Sequence, residues 1–341
     1  MRVVFDTRPV SNPHGVGRYS RCLLASLHET AADGDAVLET QRPSSLARSR
    51  TADVFHSPWM SGAMLHSPYP MVVTIHGLAS LKRPSEHLRG GLRQRLRQLA
   101  VQRAAAVIVP TNAVAEDAVS ELGIESERIS VIAEAADMAM YPRSHAEIEG
   151  ARSLFGLPSE YLVWVGGLQH PDPSRHVAQL ASAARELPLV LVGSTRPWAH
   201  ELPNVILTGR VSDDHLAAIY SGAHALVLPS EGEGFGLPAV EALACGTPVA
   251  AFDSPALREV LRDRAVLVEP GDMDALIDAA QGAARPAPAP SEWSWADAGR
   301  ASWKVYERAM SAGQPVRAAV PARRRRPGAR RSARIERLEP Q

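Results

Sequence analysis

Cysteine is nearly absent: Cys22 and Cys245 stand in opposite halves of a 341-residue chain. So distant a pair makes neither a disulfide framework nor a zinc site. Long apolar runs are missing too, and none approaches the roughly 20 residues that span a bilayer. The N-terminus, MRVVFDTRPV, reads as a strand and a turn without the apolar core and small-residue cleavage site of a secretory signal. The expected compartment is the cytoplasm. Lysine is scarce, two residues against 35 arginines, a bias that carries no mechanism by itself. What remains is ordinary: 45% hydrophobic residues exclude a disordered or fibrous chain. A typical domain of roughly 150 residues predicts two domains here.

The net charge of zero conceals an asymmetry. Residues 315–341 hold nine Arg against two Glu, a balance of +7, which leaves −7 for residues 1–314. That tail has few large apolar groups and is expected to be disordered. Its arginines, Arg323–Arg326 with Arg330 and Arg331, fit a merely solvated tail first and an anionic membrane surface second. Nucleic acid ranks last, because no aromatics interleave the run.

The first half alternates short β-branched runs (2–8, 53–58, 71–77, 105–110, 128–133) with helical stretches. One of these, GGLRQRLRQLAVQRA, is expected to turn Leu92, Leu96, Leu99 and Val101 inward. Thr111 or Asn112 caps the helix after the fourth strand. The pattern restarts with strands at 161–168, 189–194, 205–209, 225–230, 247–252 and 265–270, and a helix over HVAQLASAARELP. Such alternation predicts a parallel sheet covered on both faces, built twice. The break falls near Tyr141–Arg143. After the Pro/Ala stretch 284–290, Trp295, Trp303 and Tyr306 share a helix that needs a surface to cover.

The densest chemistry lies in LVLPSEGEGFGLPAVEALACGTPV (226–249). A buried strand ends near Ser230, and a helix starts at Leu237–Pro238, where a first-turn proline loses no hydrogen bond. Free amides at Gly236 and Leu237 then make an anion site at the strands' carboxyl ends. Glu233 precedes them, and Glu241 lies about one turn inside the helix, able to accept from a vicinal diol. The plain alternative is a glycine turn with solvated glutamates. Gly15 and Gly17, in HGVGRYS, lack the third glycine and the adjacent strand of a dinucleotide fingerprint.

The stretch EGFGLPAVEALACGTPVAAFD closely resembles the signature of glycosyltransferase family 4, in which two Glu with seven residues between them flank a GFGLP core, as Glu233 and Glu241 do here. The blocks 205–230, 257–276, 6–24 and 294–309 resemble the family as well. VVTIHGL (72–78) resembles its histidine motif, with Gly77 where Asp is common. The resemblance implies an α/β fold of GT-B type, two Rossmann-like doubly wound parallel-sheet domains facing across a cleft. The implied domains are 1–143 on the acceptor side, 144–290 on the donor side, a helix at 291–314 returning to the first, and the tail.

The implied activity is retaining transfer of a hexosyl group from a nucleotide diphosphate sugar to a hydroxyl acceptor, such as a lipid-linked glycan, with GDP-mannose the first donor to test. Glu233 and His76 would sit at the sugar. Gly234, Phe235, Gly236 and Leu237 would line sugar and diphosphate through backbone amides, and Glu241 would bind the ribose. Gly15, Gly17 and Arg18 would face the acceptor or the leaving phosphate, a plain turn being the alternative. No cofactor, metal or protein nucleophile is implied. The chain departs from the family where Gly167 replaces a diphosphate-binding Arg. The following Lys position falls on Arg175, or on Asp172 if no gap is allowed. That departure keeps open a weak or inactive nucleotide-sugar-binding protein. A GT-B epimerase is the other alternative.

Overall fold

A computed structural model describes residues 1–12, 15–43, 52–78, 84–183 and 185–312, with 84–90 described by backbone alone. The tail 315–341, with its expected disorder, lies outside the described residues.

The N-terminal unit runs β1 (Arg2–Asp6), α1 (Gly15–Glu29), β2 (Ala36–Thr40), β3 (Val54–Ser57), β4 (Met71–Thr74), α2 (Pro84–Gln102), β5 (Ala106–Val109), α3 (Asn112–Leu122) and β6 (Ile129–Val131). Its strands order as β2-β1-β3-β4-β5-β6, all parallel. The inner strands β3, β4 and β5 are buried throughout and β1 from Val3 onward, because both sheet faces are covered there. Val4, Val73 and Val107 face one layer and Val3, Val54 and Val72 the other.

The C-terminal unit runs α4 (His145–Phe155), β7 (Leu162–Val165), α5 (Val177–Ser182), β8 (Leu189–Val192), β9 (Val205–Gly209), α6 (Asp213–Gly222), β10 (Ala225–Leu228), α7 (Leu237–Ala244), β11 (Val249–Phe252), α8 (Pro255–Leu261), β12 (Val266–Val268) and α9 (Met273–Gln281). The strand order is β12-β11-β10-β7-β8-β9. Strand order therefore reverses between β7 and β10, and a crevice opens at their carboxyl ends. The loops leaving those two strands carry Gly166, Gly167, Arg175 and Glu233.

The last helix, α10 (Trp295–Ala312), packs against α1, β4 and β5 of the N-terminal unit. Gly299 permits the close crossing, since a Cβ there would meet Ser26 Oγ at 2.3 Å. Trp303 donates to the Leu27 carbonyl at 3.3 Å, and Tyr306 meets His56 Nδ1 at 2.7 Å. All three aromatics are buried. Truncating Trp303 to alanine would cost about 3–5 kcal/mol, as buried tryptophans do.

Three expectations need correction. Leu92, Leu96 and Leu99 are 73%, 40% and 45% exposed, and of the four α2 positions expected inward, Val101 alone is buried. Spacing by three and four shows a helix face but not which way it points. The helix over HVAQLASAARELP stops after Ser182, where Ala183 turns to extended backbone. Between the first two expected strands lies a further one, β2, a half-exposed sheet edge. Thr111 caps α3 as expected, its hydroxyl accepting from Val114 N, and both cysteines are free.

Candidate active site

A cavity of about 530 Å³ lies between the two units and opens on the crevice between β7 and β10. On the donor side, the chain leaves β10 through buried Ser230 and enters α7 at Gly236, whose φ of +84° belongs to the left-handed region that favours glycine. Pro238 sits in the first turn, and among the described residues no side chain caps the helix. The amides at this N-terminus therefore remain available to an anion. Phe235 also borders the cavity; it is 3% exposed, and its ring packs against that of Trp293. Leu237 is buried at the same turn.

Glu233 is half-buried on the cavity wall, and among the described residues no group hydrogen-bonds to its carboxylate. Glu241 differs. It is 2% exposed, and burial pushes its carboxyl up to about 7. Arg18, reaching from α1 of the opposite unit, pulls the other way, with Nε 2.9 Å from Glu241 Oε1. The Arg18 guanidinium also meets Asp213 Oδ1 at 2.5 Å and Asp137 Oδ2 at 3.4 Å. Burial opposes its charge, but Glu241, Asp213 and Asp137 together outweigh that and hold it protonated more firmly than usual. Arg18 lines the cavity, yet its charge is committed to three carboxylates rather than free for a phosphate.

Gly15 lines the same wall at the start of α1. Gly17 is required by packing: a Cβ there would lie 1.8 Å from the Asn12 carbonyl. His76 borders the cavity, but both ring nitrogens are engaged inside its own unit. Nδ1 meets Glu134 Oε1 at 3.0 Å and Nε2 meets the Pro58 carbonyl at 2.9 Å, while the ring edge stands on Tyr19.

Of the two candidate positions for a diphosphate-binding cation, Arg175 stands on the cavity wall with Gly166 and Gly167. Asp172 instead caps the Pro173–Arg175 turn, accepting from Ser174 N at 3.0 Å, and lies 3.6 Å from Arg175 Nε. The turn is tied to the Glu233 loop by His176, whose Nε2 is 2.7 Å from Glu231 Oε1, and by Glu231 N donating to Ser174 O.

Several residues escaped the sequence reading: Glu134, Asp137, Asp213 and Arg210. Glu134 is 3% exposed beyond β6, and a lone carboxylate at a strand's carboxyl end is the signal that marks it. Arg210, just past β9, is another cation on the cavity wall. Among the described residues, no three His, Cys, Asp or Glu gather to hold a metal ion.

Comparison with known proteins bears on the family and the fold. The family model described as "Glycosyl transferases group 1" matches residues 159–285, and "Glycosyltransferase Family 4" matches 37–139. The chain is 32% identical to a D-inositol 3-phosphate glycosyltransferase of Mycolicibacterium smegmatis, covering 83% of this chain and 71% of that one. It is 22% identical to O-antigen chain mannosyltransferase B of Escherichia coli, over 81% of this chain and 88% of that one. It is 30% identical to 2-deoxystreptamine glucosyltransferase of Streptomyces kanamyceticus, over 54% of this chain, spanning about half (52%) of that relative's length. The crystal structure of Anabaena HepE with UDP and glucose shares the fold, with a TM-score of 0.61, 18% identity, and coverage of 92% of this chain and 97% of that one. With two parallel six-stranded sheets facing across a cleft, the chain belongs to glycosyltransferase family 4 and is a transferase of GT-B fold.

Proposed function

We propose that this glycosyltransferase moves a hexosyl group from a nucleotide diphosphate sugar to a hydroxyl acceptor, with retention of anomeric configuration. The observation that carries the reading is the shared wall at the strand-order reversal. There the amides of α7 and Glu233, which no side chain among the described residues caps or pairs, border one cavity with the buried Glu241. The diphosphate takes the α7 amides and Arg175. The ribose diol takes Glu241, and Glu233 stands at the transferred sugar. The leaving group is the nucleotide diphosphate, and stabilising its developing charge is the main catalytic demand. Amides and Arg175 supply that stabilisation in this reading without a metal, and the leaving phosphate assists attack from the same face, so no protein nucleophile is assigned.

GDP-mannose is the first donor to test, supported by the likeness to a mannosyltransferase; UDP-glucose is second, since the structurally similar HepE binds UDP and glucose. Thermal-shift measurements across UDP-, GDP- and ADP-sugars should single out one base, as a ligand at 100 times its Kd stabilises by about 2.7 kcal/mol. Proton NMR of the product should then show the donor's anomeric configuration. An inverted product would contradict retention, and no response to any nucleotide sugar would contradict the donor reading.

We further propose a cytoplasmic enzyme seated on an anionic membrane surface, with a lipid-linked glycan as acceptor. Among the described residues no helix is long and apolar enough to cross a membrane. Supporting a peripheral seat, Leu92, Leu96 and Leu99 face outward on α2, interleaved with Arg93, Arg95 and Arg97. Leucines at this spacing share one helix face, and the arginines match an anionic headgroup layer.

A further inference from the structure

Glu241 is the most deeply buried carboxylate on the cavity wall. Among the described residues, the cation that contacts it comes from the other unit: Arg18 on α1. The remaining groups that act on it are Asp137 and Asp213, which share Arg18 and add negative charge, and the buried Tyr220 hydroxyl, which lies near it without completing a hydrogen bond. Within its own unit, then, Glu241 is a desolvated acid beside another acid. Such a group is poorly prepared to accept hydrogen bonds as an anion.

The contact with Arg18 is close but not fully used. Glu241 Oε1 and Arg18 Nη1 are both buried, and neither completes a well-aligned hydrogen bond. Two adjacent hydroxyls of a ligand would donate to the Glu241 carboxylate and supply the hydrogen bond that Oε1 lacks.

We propose that Arg18 is a positioning residue of the donor site: reaching across the cleft, it balances and aims Glu241, so that the diol-binding carboxylate is complete only while the two units are closed on each other. This rests on the reading of Glu241 as the ribose ligand. Nucleotide affinity and cleft closure are thereby one equilibrium, since opening the cleft withdraws the Arg18 charge from Glu241. Arg18 acts through Glu241 and has no direct contact with the diphosphate.

The experiment is calorimetric titration with UDP and GDP and with their 2′,3′-dideoxy counterparts, on wild type, Arg18→Ala, Arg18→Lys and Glu241→Gln. Wild type should prefer the ribonucleotide of the chosen base over its dideoxy form. Arg18→Ala should lose about tenfold in ribonucleotide affinity, the scale of one hydrogen bond to a charged group, and leave dideoxynucleotide affinity within about twofold. Arg18→Lys, which keeps the charge without the fork, should fall between, and it preserves the test should Arg18→Ala fail to fold. Equal losses for ribo- and dideoxynucleotide would overturn the proposal in favour of a phosphate or purely structural role. Undiminished ribose preference in both Arg18 variants, alongside its loss in Glu241→Gln, would overturn it while leaving the ribose assignment standing. If wild type shows no ribose preference, the assignment of Glu241 fails and the proposal falls with it.

Discussion

Gly234 lies so close to His76 that a Cβ on the glycine would stand 1.7 Å from the His76 carbonyl oxygen. Two motifs from opposite units thus meet backbone against backbone. Thr111 reinforces the junction by donating to the Gly234 carbonyl at 3.0 Å. Glu259 of α8 adds a further tie, accepting from Asn112 N at 2.9 Å at the start of α3.

No rotamer change relieves a backbone clash, so Gly234→Ala must push the loop or the unit aside. A displacement of about 1 Å near reacting groups costs on the order of 100-fold in rate. We expect kcat/KM to fall by that order and the radius of gyration with bound nucleotide to increase in X-ray scattering. An unchanged kcat/KM would show that the junction does not position the sugar site.

Two buried groups give stability a pH dependence of opposite sign. Burial pushes His56, held between Thr74 and Tyr306, down from 6.5 to about 3. The unfolded chain therefore binds the extra proton, and stability falls as pH drops below about 6.5, by at most about 1.4 kcal/mol per pH unit. Glu241 is raised from 4.5 to about 7, so its contribution is full at low pH and is lost as pH rises from 4.5 to 7. Between pH 4.5 and 6.5 the two slopes oppose. Urea titrations should show Glu241→Gln losing stability more steeply on acidification than wild type. Matching slopes would refute the linkage.

The donor wall could be read from sequence because its information is local. Glu233, the glycines, Pro238 and Glu241 lie within nine consecutive residues whose strand-loop-helix pattern is plain. Arg18 shows why the rest could not. Its partner Asp213 is 195 residues away, a contact set by how two sheets face each other rather than by any period. His76 illustrates the difference between motif and geometry, since its ring nitrogens turn to Glu134 and Pro58 while its carbonyl meets the cleft loop. The α2 leucines reveal a third limit: periodicity marks an apolar face, but outward exposure depends on what the fold leaves uncovered.

That exposed face gives a further expectation. Leu92→Asp with Leu96→Asp should weaken binding to phosphatidylglycerol vesicles in a sedimentation assay while leaving the melting temperature nearly unchanged, because neither side chain is buried. Retained vesicle binding would exclude α2 as the membrane contact. A large fall in melting temperature would mean that the leucines support the fold.

The division of labour between Glu233 and Glu241 is the central claim, and steady-state kinetics of the two glutamine variants tests it most directly. Interactions felt only in the transition state appear in kcat, whereas binding shared by ground and transition states appears in KM. Glu233→Gln should lower kcat by about 100-fold, equivalent to about 2.7 kcal/mol of transition-state stabilisation. Glu241→Gln should mainly raise the donor KM, because the ribose is remote from the breaking bond. Equal losses of kcat from both variants, with donor KM unchanged, would contradict the assignment and move Glu241 to the sugar.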